Sequence, residues 1–194
     1  YTVQTNTLPS ARGQGEPLTG RLSPPTGSYF VDVIGGSLEH KILVTSDAGY
    51  GFISTIKEIS SNKKAGKVFL KTPKGAQVMQ LLSVAEESSW VAVASNEGRL
   101  LLFPIVDLPE LAKGKGNKMI GIPGKRVESR EEFVAGVALL ADGEELVVIS
   151  GKRTLSLKSK DLDNYRGERG RRGSKLPRGF QRVEGLINGN AKGR

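Results

Sequence analysis

The residues best suited to do chemistry in this sequence are the arginines and lysines of one glycine-rich stretch, residues 167–175. The stretch runs Gly-Glu-Arg-Gly-Arg-Arg-Gly-Ser-Lys. Arginine and lysine bind phosphate oxygens through charge-assisted hydrogen bonds, and glycine lets backbone N–H groups come close to the same phosphate. The pattern predicts polyanion binding. It also fits a tight turn in which glycine supplies a positive φ angle.

This stretch is the last of four similar segments, which we call boxes 1 to 4. They occupy residues 11–15, 63–67, 113–118 and 167–175. The intervals are 51, 50 and 57 residues between the glycines Gly15, Gly66, Gly116 and Gly173. A basic box that recurs about every 50 residues, with short apolar runs between, indicates a repeat architecture that presents positive charge several times.

Positive charge is concentrated towards the end of the chain. The 194 residues carry a formal net charge of +9. Residues 1–151 hold 16 Lys/Arg and 16 Asp/Glu, whereas residues 152–194 hold 13 and 4, so the last 43 residues carry the whole excess. Such a region attracts polyanions, most simply nucleic-acid phosphates, although a solvated basic surface would give the same count. The repeated boxes favour polyanion binding.

Enzyme-like sites find little support in the residue types. The sequence has no cysteine, so it offers neither a disulfide framework nor a thiolate metal site. Its one histidine, His40, precedes a strand-like run and is predicted to be a loop or strand-edge residue. The segment at Lys175 is not a phosphate-binding P-loop, because Lys175 follows Ser174 and Pro177 disfavours the helix that such a loop requires. No nucleophile elbow of the Gly-x-Ser-x-Gly type is present.

Two aromatic residues are predicted to be structural. Trp90 begins a Val-Ala-Val-Ala strand, which favours packing over base stacking. Tyr50 lies beside the turn glycine Gly49, with no base in the sequence pattern to activate it as a nucleophile. No apolar run approaches the roughly 18 residues of a membrane span, and the start of the chain does not look like a signal peptide.

The elements that must position the boxes are short strands. Apolar runs of three to seven residues lie at 41–46, 52–56, 68–70, 78–84, 90–94, 100–106, 119–122, 146–149 and 154–157. Turn signals between successive runs predict hairpins at residues 46–49, 96–98 and 150–152. Only residues 108–112 and 137–140 suggest short turns of helix. One unit has about four strands per 50 residues, which fits the blade of a propeller-like array.

Several motifs, in the same order along the chain, resemble those of one family, the C-terminal domains of the A subunit of bacterial topoisomerase IV. These domains are related to the corresponding domains of DNA gyrase. The resemblance covers essentially the whole chain. Its most specific segments are residues 8–20, 46–52, 103–111, 113–118 and 167–173. The heptapeptide box Gln-Arg-Arg-Gly-Gly-Lys-Gly of gyrase does not occur in the sequence, which favours the topoisomerase IV branch over gyrase.

The resemblance implies an all-β β-pinwheel of about four to five four-stranded blades, with strands exchanged between neighbours in an open ring. We expect a single domain over residues 1–187, truncated at its N-terminus, followed by a disordered tail at residues 188–194. The implied function is non-catalytic: binding and bending duplex DNA without reading its sequence, and positioning it for ATP-dependent strand passage in decatenation and relaxation. The resemblance implies that the protein works in the bacterial cytoplasm at the nucleoid. Peripheral association of the holoenzyme with the membrane is compatible with it.

The implied partners are duplex DNA, the rest of the A subunit in its homodimer, and the B subunit, which carries the ATPase. No cofactor is expected in this chain, while ATP and Mg²⁺ are implied for the holoenzyme. The predicted DNA-binding residues are the cations of the boxes and of the last hairpin: Arg12, Lys63, Lys64, Lys67, Lys113, Lys115, Lys118, Lys152, Arg153, Arg169, Arg171, Arg172, Lys175, Arg178 and Arg182. A gyrase-type wrapping domain, and a basic propeller that binds protein or RNA, remain the alternatives.

Overall fold

The computed structural model of the chain describes residues 1–10 and 12–190. The strands in these residues are β1 (Lys41–Ser46), β2 (Tyr50–Thr55), β3 (Leu82–Ser83), β4 (Trp90–Ser95), β5 (Arg99–Pro104), β6 (Asn117–Lys118), β7 (Val134–Leu140), β8 (Leu146–Ser150), β9 (Arg153–Leu157), β10 (Ser174–Lys175) and β11 (Gly185–Asn188). Four short α-helices accompany them: α1 (Leu18–Arg21), α2 (Ile56–Ile59), α3 (Gly124–Glu128) and α4 (Ser159–Leu162). Single 3₁₀ turns lie at Thr5–Thr7, Ile105–Asp107 and Asp163–Tyr165.

Three hairpins form the centres of three antiparallel sheets. They are β1–β2, β4–β5 and β8–β9, at the positions where the sequence predicts hairpins. Their turns contain Gly49, Gly98 and Gly151 at φ values of 81°, 74° and 59°. An L side chain disfavours this left-handed conformation, whereas glycine adopts it readily.

Each hairpin is extended by strands from later in the chain. The sheets have the orders β3-β1-β2-β6, β10-β5-β4-β7 and β11-β8-β9, and we call them blades 1, 2 and 3. Strand β6 lies in box 3 and completes blade 1, whereas β10 lies in box 4 and completes blade 2. Box 3 follows the hairpin of blade 2 and box 4 follows that of blade 3, so each strand is exchanged back to the preceding blade. The β-pinwheel architecture with exchanged strands is confirmed.

The blades stack because the middle one is apolar on both faces. In β4, Val91 and Val93 pack towards blade 1, whereas Ala92 and Ala94 pack towards blade 3. Strand β5 alternates in the same way, and all these side chains are buried. Opposite faces of a strand alternate with a period of two, so continuous apolar runs mark strands covered on both sides. The outer face of blade 1 is covered by its own flanking loops, around Phe52.

Some sequence predictions differ from the structure. The described residues form three blades rather than four to five, because residues 1–10 and 12–40 contain no strand. Residues 137–140 are part of β7 and residues 108–112 are not helical, so both predicted helical turns are wrong. The run 119–122 is buried but follows β6 as a loop.

The predicted disordered tail, residues 188–194, is wrong for residues 188–190, which are hydrogen bonded to the blade: the Gly189 N–H donates to the Glu145 carbonyl at 2.8 Å. Residue 188 closes β11, where the Asn188 side-chain amide donates to the Leu139 carbonyl at 3.1 Å and to Glu144 at 2.7 Å. Residues 191–194 of that tail lie outside the described residues.

A fully buried carboxylate fixes box 4 against the segment before β7. Glu132 is 0% exposed and accepts two hydrogen bonds of 2.6 Å from the Arg172 guanidinium and one of 2.9 Å from Arg126. Burial by itself raises the pKa of the Glu132 carboxyl, but the hydrogen bonds and charges, those of Arg172 foremost, outweigh it and hold that pKa below its ordinary value of 4.5. Glu132 therefore stays ionised and holds both arginines.

We expect the glycines that precede β6 and β10 to be essential for assembly of the blades. A Cβ added at Gly116 would lie 2.3 Å from the Gly51 carbonyl oxygen, and one at Gly173 would lie 2.7 Å from that of Leu100. Gly173→Ala should lower the free energy of unfolding by about 2–5 kcal/mol, as left-handed strain and overpacking add. Urea denaturation measures this loss.

Gly143→Ala is the matched control for this prediction. Gly143 has φ 83° but open space where a Cβ would lie, so only the backbone strain of about 1–2 kcal/mol applies. Equal losses for Gly143→Ala and Gly173→Ala would show that close strand approach is not what selects glycine in the box.

The buried carboxylate makes a pH-dependent contribution to stability. The folded pKa of Glu132 lies below its unfolded value, so its contribution is complete above about pH 4.5 and is lost as the pH falls through the folded pKa. Glu132→Gln should cost about 3 kcal/mol at pH 7, since it leaves two arginines without their partner, and should flatten the acid limb of stability against pH. Urea midpoints measured between pH 7 and pH 3 test both effects.

The neighbouring Glu131 supplies the control. Its side chain is 63% exposed and lies 3.4 Å from Arg126, so Glu131→Gln should cost less than about 1 kcal/mol and leave the acid limb in place. An acid limb unchanged in Glu132→Gln would contradict the assignment.

Candidate nucleic-acid interface

Box 4 is hydrogen bonded through its backbone to the residues at the end of box 3, and box 3 to the residues just after box 2. Box 3 meets the residues after box 2 where the Gly114 N–H donates to the Phe69 carbonyl at 2.8 Å. Box 4 meets the end of box 3 where the Gly170 N–H donates to the Met119 carbonyl at 2.9 Å. A return bond closes each junction, from Lys71 to Gly114 and from Gly121 to Arg171. Boxes 3 and 4 and the residues that follow box 2 therefore form one hydrogen-bonded line across the blades.

Most of the predicted DNA-binding residues are exposed. Within the described residues, none of the following has a carboxylate within 4.0 Å: Arg12, Lys63, Lys64, Lys113, Lys115, Lys152, Arg153, Lys175, Arg178 and Arg182. Cations without an internal partner are available to an external polyanion. DNA binding by these residues stays a prediction.

The other predicted residues have internal partners. Lys67 donates to the Glu58 carbonyl, and Lys118 donates to that of Ile122 at 3.0 Å. In box 4, Arg169 donates to the Lys118 carbonyl at 2.7 Å, and the half-buried Arg172 holds Glu132 and the Gly121 carbonyl. Arg171 stays exposed and pairs with Glu168 at 2.9 Å. Two of these cations, Arg169 and Arg172, therefore have a structural task at the junction between boxes 3 and 4.

The aromatic residues have the structural roles predicted for them. The ammonium of Lys115 lies 4.3 Å from the centre of the Tyr50 ring, and the ammonium of Lys118 lies 5.8 Å from the same centre. Trp90 donates its indole N–H to Asp142 at 2.7 Å and stacks under Arg166 at 4.2 Å. These cation–π contacts hold lysine and arginine stems against the blade surface.

His40 lies at the edge of blade 1, as predicted. Its Nε2 is 2.6 Å from the Ser83 hydroxyl oxygen, between β1 and β3. Among residues 1–10 and 12–190, no group of three or more His, Cys, Asp or Glu side chains is arranged to hold a metal ion. None of the helices that the structure describes has the length and apolar character needed to cross a membrane.

Two arginines that the sequence did not single out complete the basic surface of blade 2. Arg99 begins β5 and donates to the Gly173 carbonyl of box 4 at 3.1 Å. Arg126 lies in α3, where Glu97 in particular raises the pKa of its guanidinium through a hydrogen bond of 2.7 Å. In the sequence, Arg99 directly follows the turn glycine Gly98. That position indicates a role for Arg99 only once the pairing of β5 with β10 is known.

Comparisons with known proteins agree with this architecture. The family model described as "DNA gyrase C-terminal domain, beta-propeller" matches residues 40–85 and 89–149. The A subunit of DNA topoisomerase 4 from Pseudomonas aeruginosa is 53% identical over 188 residues, which is 96% of this chain and 25% of that protein. The chain spans about a quarter of the length of the curated relatives that it matches.

Solved structures extend the likeness to three dimensions. The E. coli ParC C-terminal domain superposes with a TM-score of 0.87 at 40% identity, covering 95% of this chain and 75% of that one. The DNA gyrase A C-terminal domain superposes with a TM-score of 0.61 at 15% identity, covering 76% of this chain and 50% of that one, which shows a shared fold. The chain therefore belongs to the family of β-propeller C-terminal domains of DNA gyrase, and the resemblance of its motifs to the A subunit of topoisomerase IV is confirmed.

Proposed function

We propose that this chain binds and bends duplex DNA through the phosphates, without reading the base sequence. The observation that supports this most directly is the hydrogen-bonded line of boxes 3 and 4 and the residues that follow box 2, together with the exposed cations that boxes 2, 3 and 4 each carry without a carboxylate partner in the described residues. Contacts to phosphate fix the position of a duplex but carry no sequence information directly. The glycine-rich backbone beside these cations permits close approach.

The energetics of such binding are reasonable. Bending a short duplex by tens of degrees costs on the order of 1–6 kcal/mol. A handful of charge-assisted phosphate contacts, at roughly 1.5–3 kcal/mol each, offsets that cost. Because the boxes belong to successive blades, contact with all of them requires a duplex to follow the curvature of the array.

For the whole protein we propose the role of the topoisomerase IV A subunit, whose C-terminal domains this chain resembles. The domain would present duplex DNA for ATP-dependent strand passage in decatenation and relaxation. The catalytic tyrosine, the second copy of the A subunit, the B subunit with its ATPase, and the sites for ATP and Mg²⁺ would all lie outside this chain. Its setting would be the nucleoid in the bacterial cytoplasm.

Box 3 provides a clean test of phosphate binding. We expect Lys113→Gln/Lys115→Gln to weaken binding to duplexes of any sequence. The slope of log K against log salt should flatten by about 1.8, since each lost phosphate contact contributes roughly 0.9. Fluorescence anisotropy with a random-sequence duplex and a matched single strand, across a salt series, measures both slope and preference.

The control removes the same charge from the exposed helical lysines outside the boxes, as Lys57→Gln/Lys160→Gln. It should retain nearly the slope of the parent chain. Equal slopes for the two double variants would place the DNA elsewhere. A preference for the single strand would favour an RNA-binding or single-strand role.

Substitutions of two adjacent arginines in box 4 should distinguish an effect on DNA binding from an effect on stability. Arg171→Gln removes an exposed cation whose only ion partner in the described residues is the surface carboxylate Glu168, so it should weaken DNA binding and leave the urea midpoint nearly unchanged. Arg172→Gln leaves Glu132 buried with one arginine, so it should lower the midpoint as well. The reverse order of midpoints would contradict the structural role of Arg172.

A further inference from the structure

An open cleft of about 660 Å³ lies beside the β4–β5 turn of blade 2. Four segments meet there: the hairpin turn with the start of β5, box 4 with its strand β10, residues 181–183, and α3. The charged side chains of its lining are Glu97, Arg99, Arg126, Arg172, Lys175 and Arg182. The concave shape distinguishes this place from the open line of the boxes.

The cleft is strongly positive. Five of its lining side chains are cationic, and only Glu97 among them is anionic. Glu132, in the wall behind Arg126 and Arg172, brings the net charge of the assembly to +3. A concave surface lined by one sign of charge focuses its field and raises the local concentration of the opposite charge.

The walls of this cleft are held in place independently of any ligand. Glu132 holds Arg126 and Arg172 through charge-assisted bonds, and the Gly173 carbonyl holds Arg99. The hairpin turn is bonded to two of the other segments, since the Leu176 N–H, directly after β10, donates to the Gly98 carbonyl at 2.8 Å and the Val183 N–H donates to that of Asn96 at 3.2 Å. Arginines fixed in this way lose little conformational entropy when they bind an anion.

Donors remain for a ligand after these internal bonds are counted. Lys175 and Arg182 have no carboxylate within 4.0 Å in the described residues. Arg99 makes one side-chain hydrogen bond there, whereas a guanidinium carries five N–H donors. The planar guanidinium suits bidentate contact with phosphate oxygens, and lysine adds a point charge.

The corresponding place in blade 1 is built differently. Tyr50 pairs with Lys118 of box 3 in the register in which Arg99 pairs with Lys175 of box 4. Blade 1 therefore has a phenol ring where blade 2 has a guanidinium, and Lys115 lies over that ring. The two blades share the backbone pairing, but blade 2 has a cation, Arg99, where blade 1 has Tyr50.

We propose that this cleft is a discrete phosphate-binding site, in which Arg99, Lys175 and Arg182 together bind one phosphate group of the duplex backbone. The inference rests on the proposed DNA binding and gives it a fixed anchor at blade 2. The remaining box cations then add diffuse attraction. Glu97 lies at the same cleft and opposes the anion, which limits affinity.

Energetic coupling between cleft residues tests this site. In the full 194-residue chain, Lys175→Gln and Arg182→Gln should each weaken duplex binding by about tenfold, the loss expected for one charge-assisted contact. Because both side chains hold one phosphate, the double variant should lose much less than the product of the two losses. Lys175→Gln combined with Lys115→Gln of box 3 is the matched pair and should show the full product. A full product for Lys175→Gln/Arg182→Gln would overturn the proposal.

A small probe separates the site from the diffuse field. Sodium tripolyphosphate should shift the arginine Nε–H NMR signals of Arg99 and Arg182 with 1:1 saturation and should compete with duplex. Glu97→Gln should tighten that binding severalfold. Duplex binding without saturable tripolyphosphate binding would overturn the site and leave the proposed function intact. Saturable tripolyphosphate binding without duplex binding would overturn the proposed function and the anchoring of DNA, while identifying a site for small polyphosphates.

Discussion

The pairing of boxes 3 and 4 with the blades before them is the constraint on which the remaining structure depends. Strand β6 completes blade 1 and β10 completes blade 2, each through only two paired residues. So short a contact holds because the backbones come very close: the Met119 N–H donates to the Gly49 carbonyl at 2.7 Å, and Leu176 does the same to Gly98 at 2.8 Å. Gly116 and Gly173 are required by this approach before any ligand is considered.

The same constraint divides the cations of the boxes into two groups. A box that crosses the end of the preceding box buries some of its side chains, and box 4 uses Arg169 and Arg172 to bind carbonyl groups at that crossing. Arg172 also needs the buried Glu132, because a guanidinium at such a junction is costly without a charged partner. These two arginines thereby fix box 4, with its exposed cations, against the end of box 3. A run of basic residues thus contains both binding and packing side chains, and composition alone does not separate them.

Local features of the fold were predictable from the sequence, and non-local ones were not. The hairpins follow from apolar runs on either side of turn glycines such as Gly98, and the structure has them where predicted. Strand β7 escaped prediction because its alanines and glycine hide the alternation of buried and half-buried positions over Val134–Leu140. Strand β10 pairs with residues about 75 positions earlier, a distance over which no short-range pattern carries information.

The candidate site shows the same limit at the level of side chains. Glu131 and Glu132 are identical neighbours in the sequence, yet one is exposed and the other is 0% exposed between two arginines. Only the position of Arg172, brought back by the exchanged strand, distinguishes them.

Divergence between the blades gives the array a direction. The backbone pairs Tyr50 with Lys118 and Arg99 with Lys175, so a side chain at this position can change from ring to guanidinium without altering the fold. A phosphate backbone that passes these two positions would meet a guanidinium in blade 2 and an aromatic ring in blade 1, and the guanidinium suits bidentate contact with phosphate oxygens. A repeat that is nearly uniform in its main chain can thus differ from blade to blade in how firmly each blade holds one phosphate group.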